Sequence, residues 1–150
     1  MKALIITLFA ISAAANLAVA GDRPDFSGNW KLDLEKSSFG PLPPPASMIR
    51  TIDQKGPDIT MQQAMTGPDM NVTLKYSTAG KETANSFMGM DFKSKANWDG
   101  RVLVIHNVVD VGGESTDKWT LSDDGKTFTD VLSISSPDGK IEITHVLIRQ

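Results

Sequence analysis

Phe26-Ser27-Gly28-Asn29-Trp30-Lys31-Leu32-Asp33-Leu34 alternates strictly. Phe26, Gly28, Trp30, Leu32 and Leu34 fall on one side of an extended chain, and Ser27, Asn29, Lys31 and Asp33 on the other. A period of two residues is the mark of a strand with one face on a core and the other in water. Gly28 brings no side chain to pack and would weaken an ordinary strand, so it marks a bend or a close backbone approach.

Working outward, turn signals recur about every 10 to 14 residues, the spacing of hairpins. They read Lys55-Gly56-Pro57-Asp58, Gly67-Pro68-Asp69, Ala79-Gly80-Lys81, Asp99-Gly100, Gly112-Gly113, Asp124-Gly125 and Asp138-Gly139, with a weaker one near Gly89-Met90-Asp91. After the opening strand the spacing predicts nine more, near 47–54, 58–65, 70–77, 82–88, 91–98, 101–109, 114–121, 126–134 and 140–148. Several alternate cleanly. Met70, Val72, Leu74 and Tyr76 oppose Asn71, Thr73, Lys75 and Ser77; Phe92, Ala96 and Trp98 oppose Asp91, Lys93, Lys95 and Asn97. Lys126, Phe128, Asp130, Leu132 and Ile134 mix polar and apolar residues on one face, while Arg101 to Val109 is apolar on both, which predicts a cover on its outer side. The fold class is therefore all-β, an antiparallel up-and-down meander. Closure removes the exposed edges of such a sheet, which predicts a barrel of roughly eight to ten strands.

The segment 35–47 contains Gly40-Pro41-Leu42-Pro43-Pro44-Pro45, too rich in proline to join a ladder. It reads as a stiff surface crossover or as a lid over the barrel mouth. The first 20 residues read as a cleaved secretory signal: Lys2, an apolar stretch from Ala3 to Val19, and the small-residue cleavage site Ala18-Val19-Ala20, leaving Gly21 as the first mature residue. The expected location is secreted or periplasmic. With no cysteine in the chain there are no disulfides and no lipid anchored on a cysteine after the cut. Residues 21–150 then form a single domain with 14 basic and 18 acidic residues, a net charge of −4. The basic residues are scattered, which argues against nucleic acid as a partner, and after the signal no apolar run is long enough to span a membrane.

Gly28-x-Trp30-Lys31-Leu32 on the first strand of a meander resembles the calycin group, the lipocalins and fatty-acid-binding proteins. The resemblance implies a calycin-like barrel, of the kind found in small exported lipocalin-like proteins of bacteria. It implies that Gly28, Trp30 and Arg149 close it: in lipocalins a basic residue of the last strand packs across the tryptophan ring, and Arg149 occupies that place. Two features of the fatty-acid-binding proteins are missing. The Pro-rich segment leaves no room for their two helices, and Ile148-Arg149-Gln150 lacks their carboxylate-binding Arg-x-Tyr.

Catalytic patterns are sparse. There is no Gly-x-Ser-x-Gly elbow and no nucleophilic cysteine. His106 and His145 lie on different predicted strands without metal-ligand spacing, so no metal and no cofactor are expected. Asp123-Asp124 precedes Gly125 and reads as turn chemistry. Met61, Met65, Met70, Met88 and Met90 cluster in the middle third, where methionine suits either core filling or an adaptable apolar surface. The expected function is a binding protein holding an apolar or amphipathic small molecule. Its pocket candidates are Arg50, Met61, Val72, Leu74, Tyr76, Phe92, Trp98, His106 and Phe128. Two alternatives stay open: a barrel-based isomerase or hydratase with His106 or His145 as general base, and a solid-core interaction protein.

Overall fold

The computed structural model describes residues 22–66 and 70–150. The expected signal segment 1–20, Gly21 and the expected turn Gly67-Pro68-Asp69 lie outside the described residues. Ten strands follow in order: β1 (Gly28–Leu32), β2 (Ser47–Lys55), β3 (Asp58–Thr66), β4 (Val72–Ser77), β5 (Thr83–Phe87), β6 (Met90–Asp99), β7 (Val102–Val109), β8 (Glu114–Leu121), β9 (Thr127–Ser136) and β10 (Gly139–Arg149). All pairings are antiparallel, and the sheet runs β4-β3-β2-β1-β10-β9-β8-β7-β6-β5. The first strand thus sits between β2 and the last strand, with Trp30 opposite both Arg50 and Arg149.

This order leaves β4 and β5 as the two edges, and they face each other across a seam without a ladder. Asn85 of β5 bridges it. Its amide accepts from the Lys75 backbone N–H at 2.8 Å and donates to the Lys75 carbonyl at 2.9 Å, standing in for a peptide unit of the missing strand pair. Thr83 adds a hydroxyl bond to the same carbonyl at 2.7 Å. Satisfying edge groups in this way is what makes a nearly closed barrel tolerable.

The strand at the N-terminus is shorter than its alternation suggests. It starts at Gly28 and ends at Leu32; Phe26 is still fully buried, but Leu34 is exposed. Asp33 ends the strand, because its carboxylate accepts from the backbone N–H groups of Glu35 and Lys36 and turns the chain away. The cover expected over the outer face of 101–109 is also absent among the described residues. Val102 and Val104 are half-buried and Val108 exposed, so the apolar outer positions rest only on neighbouring strands.

One end of the barrel is packed solid by aromatics. Phe128 lies 5.5 Å from Trp30, 5.3 Å from Phe26 and 5.1 Å from Trp119, measured between ring centroids, all tilted or edge-on. Arg149 caps this plug: its guanidinium sits 4.2 Å from the Trp30 ring centroid and donates to the Ser27 carbonyl at 2.8 Å and the Gly125 carbonyl at 2.7 Å. The cation–π contact contributes about 0.5–2 kcal/mol. Gly28 permits the approach. Its φ is +136°, and a Cβ there would lie 2.6 Å from the Arg149 Nη1.

Replacing Gly28 by valine therefore adds backbone strain and displaces Arg149, and is expected to lower stability by about 2–4 kcal/mol. Gly56→Ala, in a hairpin where nothing lies within 4 Å of the added carbon, is expected to cost only about 1 kcal/mol. Urea unfolding of the two variants checks the difference.

A cavity with a polar floor

Above the aromatic plug the barrel is hollow. The cavity measures about 550 Å³, within the range of sites that enclose a small organic ligand. Its walls are mostly apolar, with Met61, Val72, Leu74, Phe92, Ile134 and Ile143 among them. The Pro-rich segment reaches its mouth: Phe39, Leu42, Pro43 and Pro45 belong to the lining. That segment is pinned by a two-way backbone bridge between Ser38 and Thr144, at 2.8 and 2.7 Å. Gly40 lies against β10, with a left-handed φ of +56° and space for a Cβ only 3.0 Å from the Glu142 carbonyl.

The floor is polar and begins at Arg50. All three of its guanidinium nitrogens donate inside the protein: Nε to Gln63 Oε1 at 2.8 Å, Nη1 to Asp130 Oδ2 at 2.7 Å, and Nη2 to His145 Nδ1 at 3.2 Å. An arginine can only donate, so His145 Nδ1 accepts and the ring proton sits on Nε2. Asp130 Oδ2 stands 3.6 Å from the same Nδ1, too far for a hydrogen bond. Burial, aided by the Arg50 charge, holds the His145 pKa below its usual value and keeps the ring neutral. Asp130 is 1% exposed. Burial alone would raise its pKa, but the Arg50 guanidinium at 2.7 Å outweighs that and holds it low, as a carboxylate.

Asp117 completes the floor. It is half-buried on β8, lines the cavity and stands beside Asp130. Burial, and then the neighbouring Asp130 charge, push its pKa well above the normal carboxylate range. Asp130 Oδ1 is buried without a hydrogen-bond partner, and Asp117 Oδ2 accepts from Asn107 Nδ2 at 2.8 Å. The chain of bonds continues from Asn107 to Ser94 at 2.6 Å and from Ser94 to Asn85 at 3.0 Å, and so to the seam.

Of the pocket candidates read from sequence, Arg50, Met61, Val72, Leu74, Tyr76 and Phe92 line this cavity. Three do not. Phe128 belongs to the aromatic plug, and Trp98 stacks on Phe26 at the same end. His106 alternates with the buried Ile105 and Asn107, so it points outward, where its Nε2 lies 3.6 Å from Glu114. Asn107, Asp117, Asp130 and His145 were not among the candidates. The available signal was a charge in phase with buried aromatics: Asp117 two residues before Trp119, Asp130 two after Phe128.

Comparison with known proteins gives the fold a wider setting. No family model matches the chain, and no curated protein sequence matches it. Solved structures do. The zebrafish ileal bile acid-binding protein complexed with cholic acid superposes with a TM-score of 0.63 at 18% identity, covering 83% of this chain and 98% of that one. The fatty acid transporter REP1-NXSQ gives 0.64 at 14% identity, covering 83% and 95%. A secretory abundant heat soluble protein of Ramazzottius varieornatus gives 0.66 at 12% identity, covering 83% and 94%. The chain has the fold of these calycin-like barrels.

Two outcomes follow from the floor. Arg50→Met leaves Asp130 buried without its cation and is expected to cost about 3–5 kcal/mol, most of it recovered in the Arg50→Met, Asp130→Leu double variant. The second concerns pH. Asp117 has a raised folded pKa, so its stabilising contribution is present at low pH and is lost as pH rises from the ordinary carboxylate range toward that raised value. Asp117→Asn removes this loss. Urea unfolding at a series of pH values is expected to show the variant gaining on the wild type as pH rises; a pH-independent difference contradicts it.

Proposed function

We propose that the protein is an exported carrier that holds one apolar or amphipathic small molecule non-covalently inside the barrel. The observation that carries this reading is the hollow interior: apolar walls over a small polar floor organised by Arg50. A domain of this size closes its core unless something keeps it open, since interiors otherwise pack to crystal-like density. Methionines supply much of the lining, Met48, Met61, Met65, Met70, Met88 and Met90, and methionine adapts to ligands of varied shape. The described likeness to a fatty acid transporter and a bile acid-binding protein supports the same class of ligand. Export rests on the sequence of residues 1–20.

An enzymatic role for the histidines finds little support. His106 is outside the cavity, and His145 has its one lone pair taken by Arg50, which leaves no free base. The solid-core interaction reading is disfavoured by the cavity itself.

Titration with the uncharged fluorescent probe N-phenyl-1-naphthylamine is expected to give a saturable signal with one site per chain. Ile134→Trp fills part of the cavity and is expected to weaken that binding about tenfold or more, with little effect on stability. No saturable signal from the folded wild type rules the reading out.

A further inference from the structure

We propose that this cavity selects an uncharged amphipath, a lipid-like molecule whose head is a hydroxyl or carbonyl, over one ending in a carboxylate; the proposal rests on the ligand-binding reading above. A buried arginine in an apolar barrel looks at first like an anion site. Here its charge is already matched. Arg50 and Asp130 form an ion pair at 2.7 Å, with side chains 5% and 1% exposed, and every guanidinium nitrogen has a partner.

The groups facing Arg50 add no further positive charge. Around the floor stand Gln63 from β3, Tyr76 from β4, Asn107 from β7, Asp117 from β8, Asp130 from β9 and His145 from β10. Burial and the Asp130 charge push the Asp117 pKa up, toward the neutral acid, and His145 Nδ1 accepts from Arg50 as a neutral ring. The cation of the floor is already matched by the floor's own anion. A carboxylate brought down to it would lose its water, meet the Asp130 anion, and find no free cation to offset either cost. An uncharged head avoids both penalties.

A donor is nevertheless waiting. Trp119 lines the cavity and is 1% exposed, and its indole N–H is buried without a hydrogen-bond partner. Trp119 is the register partner of Asp130, so this residue stands where the aromatic plug meets the floor. A buried donor left unpaired loses its hydration without replacement. A hydroxyl or carbonyl oxygen satisfies it without adding charge.

Displacement of N-phenyl-1-naphthylamine by three chain-matched competitors, 1-decanol, decanoate and decylammonium, tests this at neutral pH. Decanol is expected to displace the probe at a concentration about tenfold or more below that of either ion. Lowering the pH until decanoic acid is protonated is expected to bring its potency close to that of decanol. Asp130→Asn frees the Arg50 charge and is expected to reverse the order, with decanoate now ahead. Should that variant not fold, the wild-type comparison and its pH arm stand alone. Decanoate or decylammonium equal to or better than decanol in the wild type overturns the proposal while leaving a ligand-binding barrel. A probe that never binds removes that reading and this proposal together.

Discussion

A belt of polar side chains runs round the inside of this barrel, and the division of the interior depends on it. Going round the wall, Gln63, Arg50, His145, Asp130, Asp117, Asn107, Ser94 and Asn85 come from β3, β2, β10, β9, β8, β7, β6 and β5, and Asn85 ends on the Lys75 backbone of β4. Only the short β1 contributes nothing, and Arg50 reaches past it. Groups this polar are tolerated in a core only when each is paired. Hydrogen bonds tie Gln63, Arg50, His145 and Asp130 into one group and Asp117, Asn107, Ser94 and Asn85 into another, and the two groups meet where Asp130 stands beside Asp117.

On one side of the belt lies the aromatic plug of Phe26, Trp30, Trp119 and Phe128, sealed outside by Arg149. On the other lies the cavity, with the Pro-rich segment at its mouth. Arg50 touches both halves, since its guanidinium stands 5.9 Å from the Phe128 ring while its head engages the floor. Hydrophobic burial stabilises the plug, and the belt keeps that packing from spreading through the barrel. Charge is spent inside the belt, with one cation facing one anion, so little is left over to attract an ion from outside.

The meander was open to reading because its determinants are local. Glycine turns and period-two alternation need no knowledge of the rest of the chain, and the strands from β2 to β10 begin and end within two residues of where the turns put them. What escaped depends on distant pairs. Arg50 meets Asp130 across 80 residues and His145 across 95, and no pattern within a strand specifies such partners. His106 and His145 look alike in sequence; only register, with His106 out of phase with Ile105 and His145 in phase with Ile143 and Leu147, separates outside from inside. The same loss of phase at Asp33 turned Leu34 outward. Trp98 and Phe128 were on the correct face, but depth along the barrel decides between plug and cavity, and depth follows from strand stagger rather than alternation.

The most direct measurement is an isotope-filtered NOE spectrum of the protein with uniformly ¹³C-labelled 1-decanol. The expected result is contact from the carbinol methylene to the Trp119 indole N–H and the Asn107 amide, and from the terminal methyl to Phe39 and Met88 at the mouth. Contacts confined to outward residues such as Val104 and Val108, or no intermolecular contacts at a saturating concentration, would contradict a hollow barrel that binds its ligand head-down on a neutral floor.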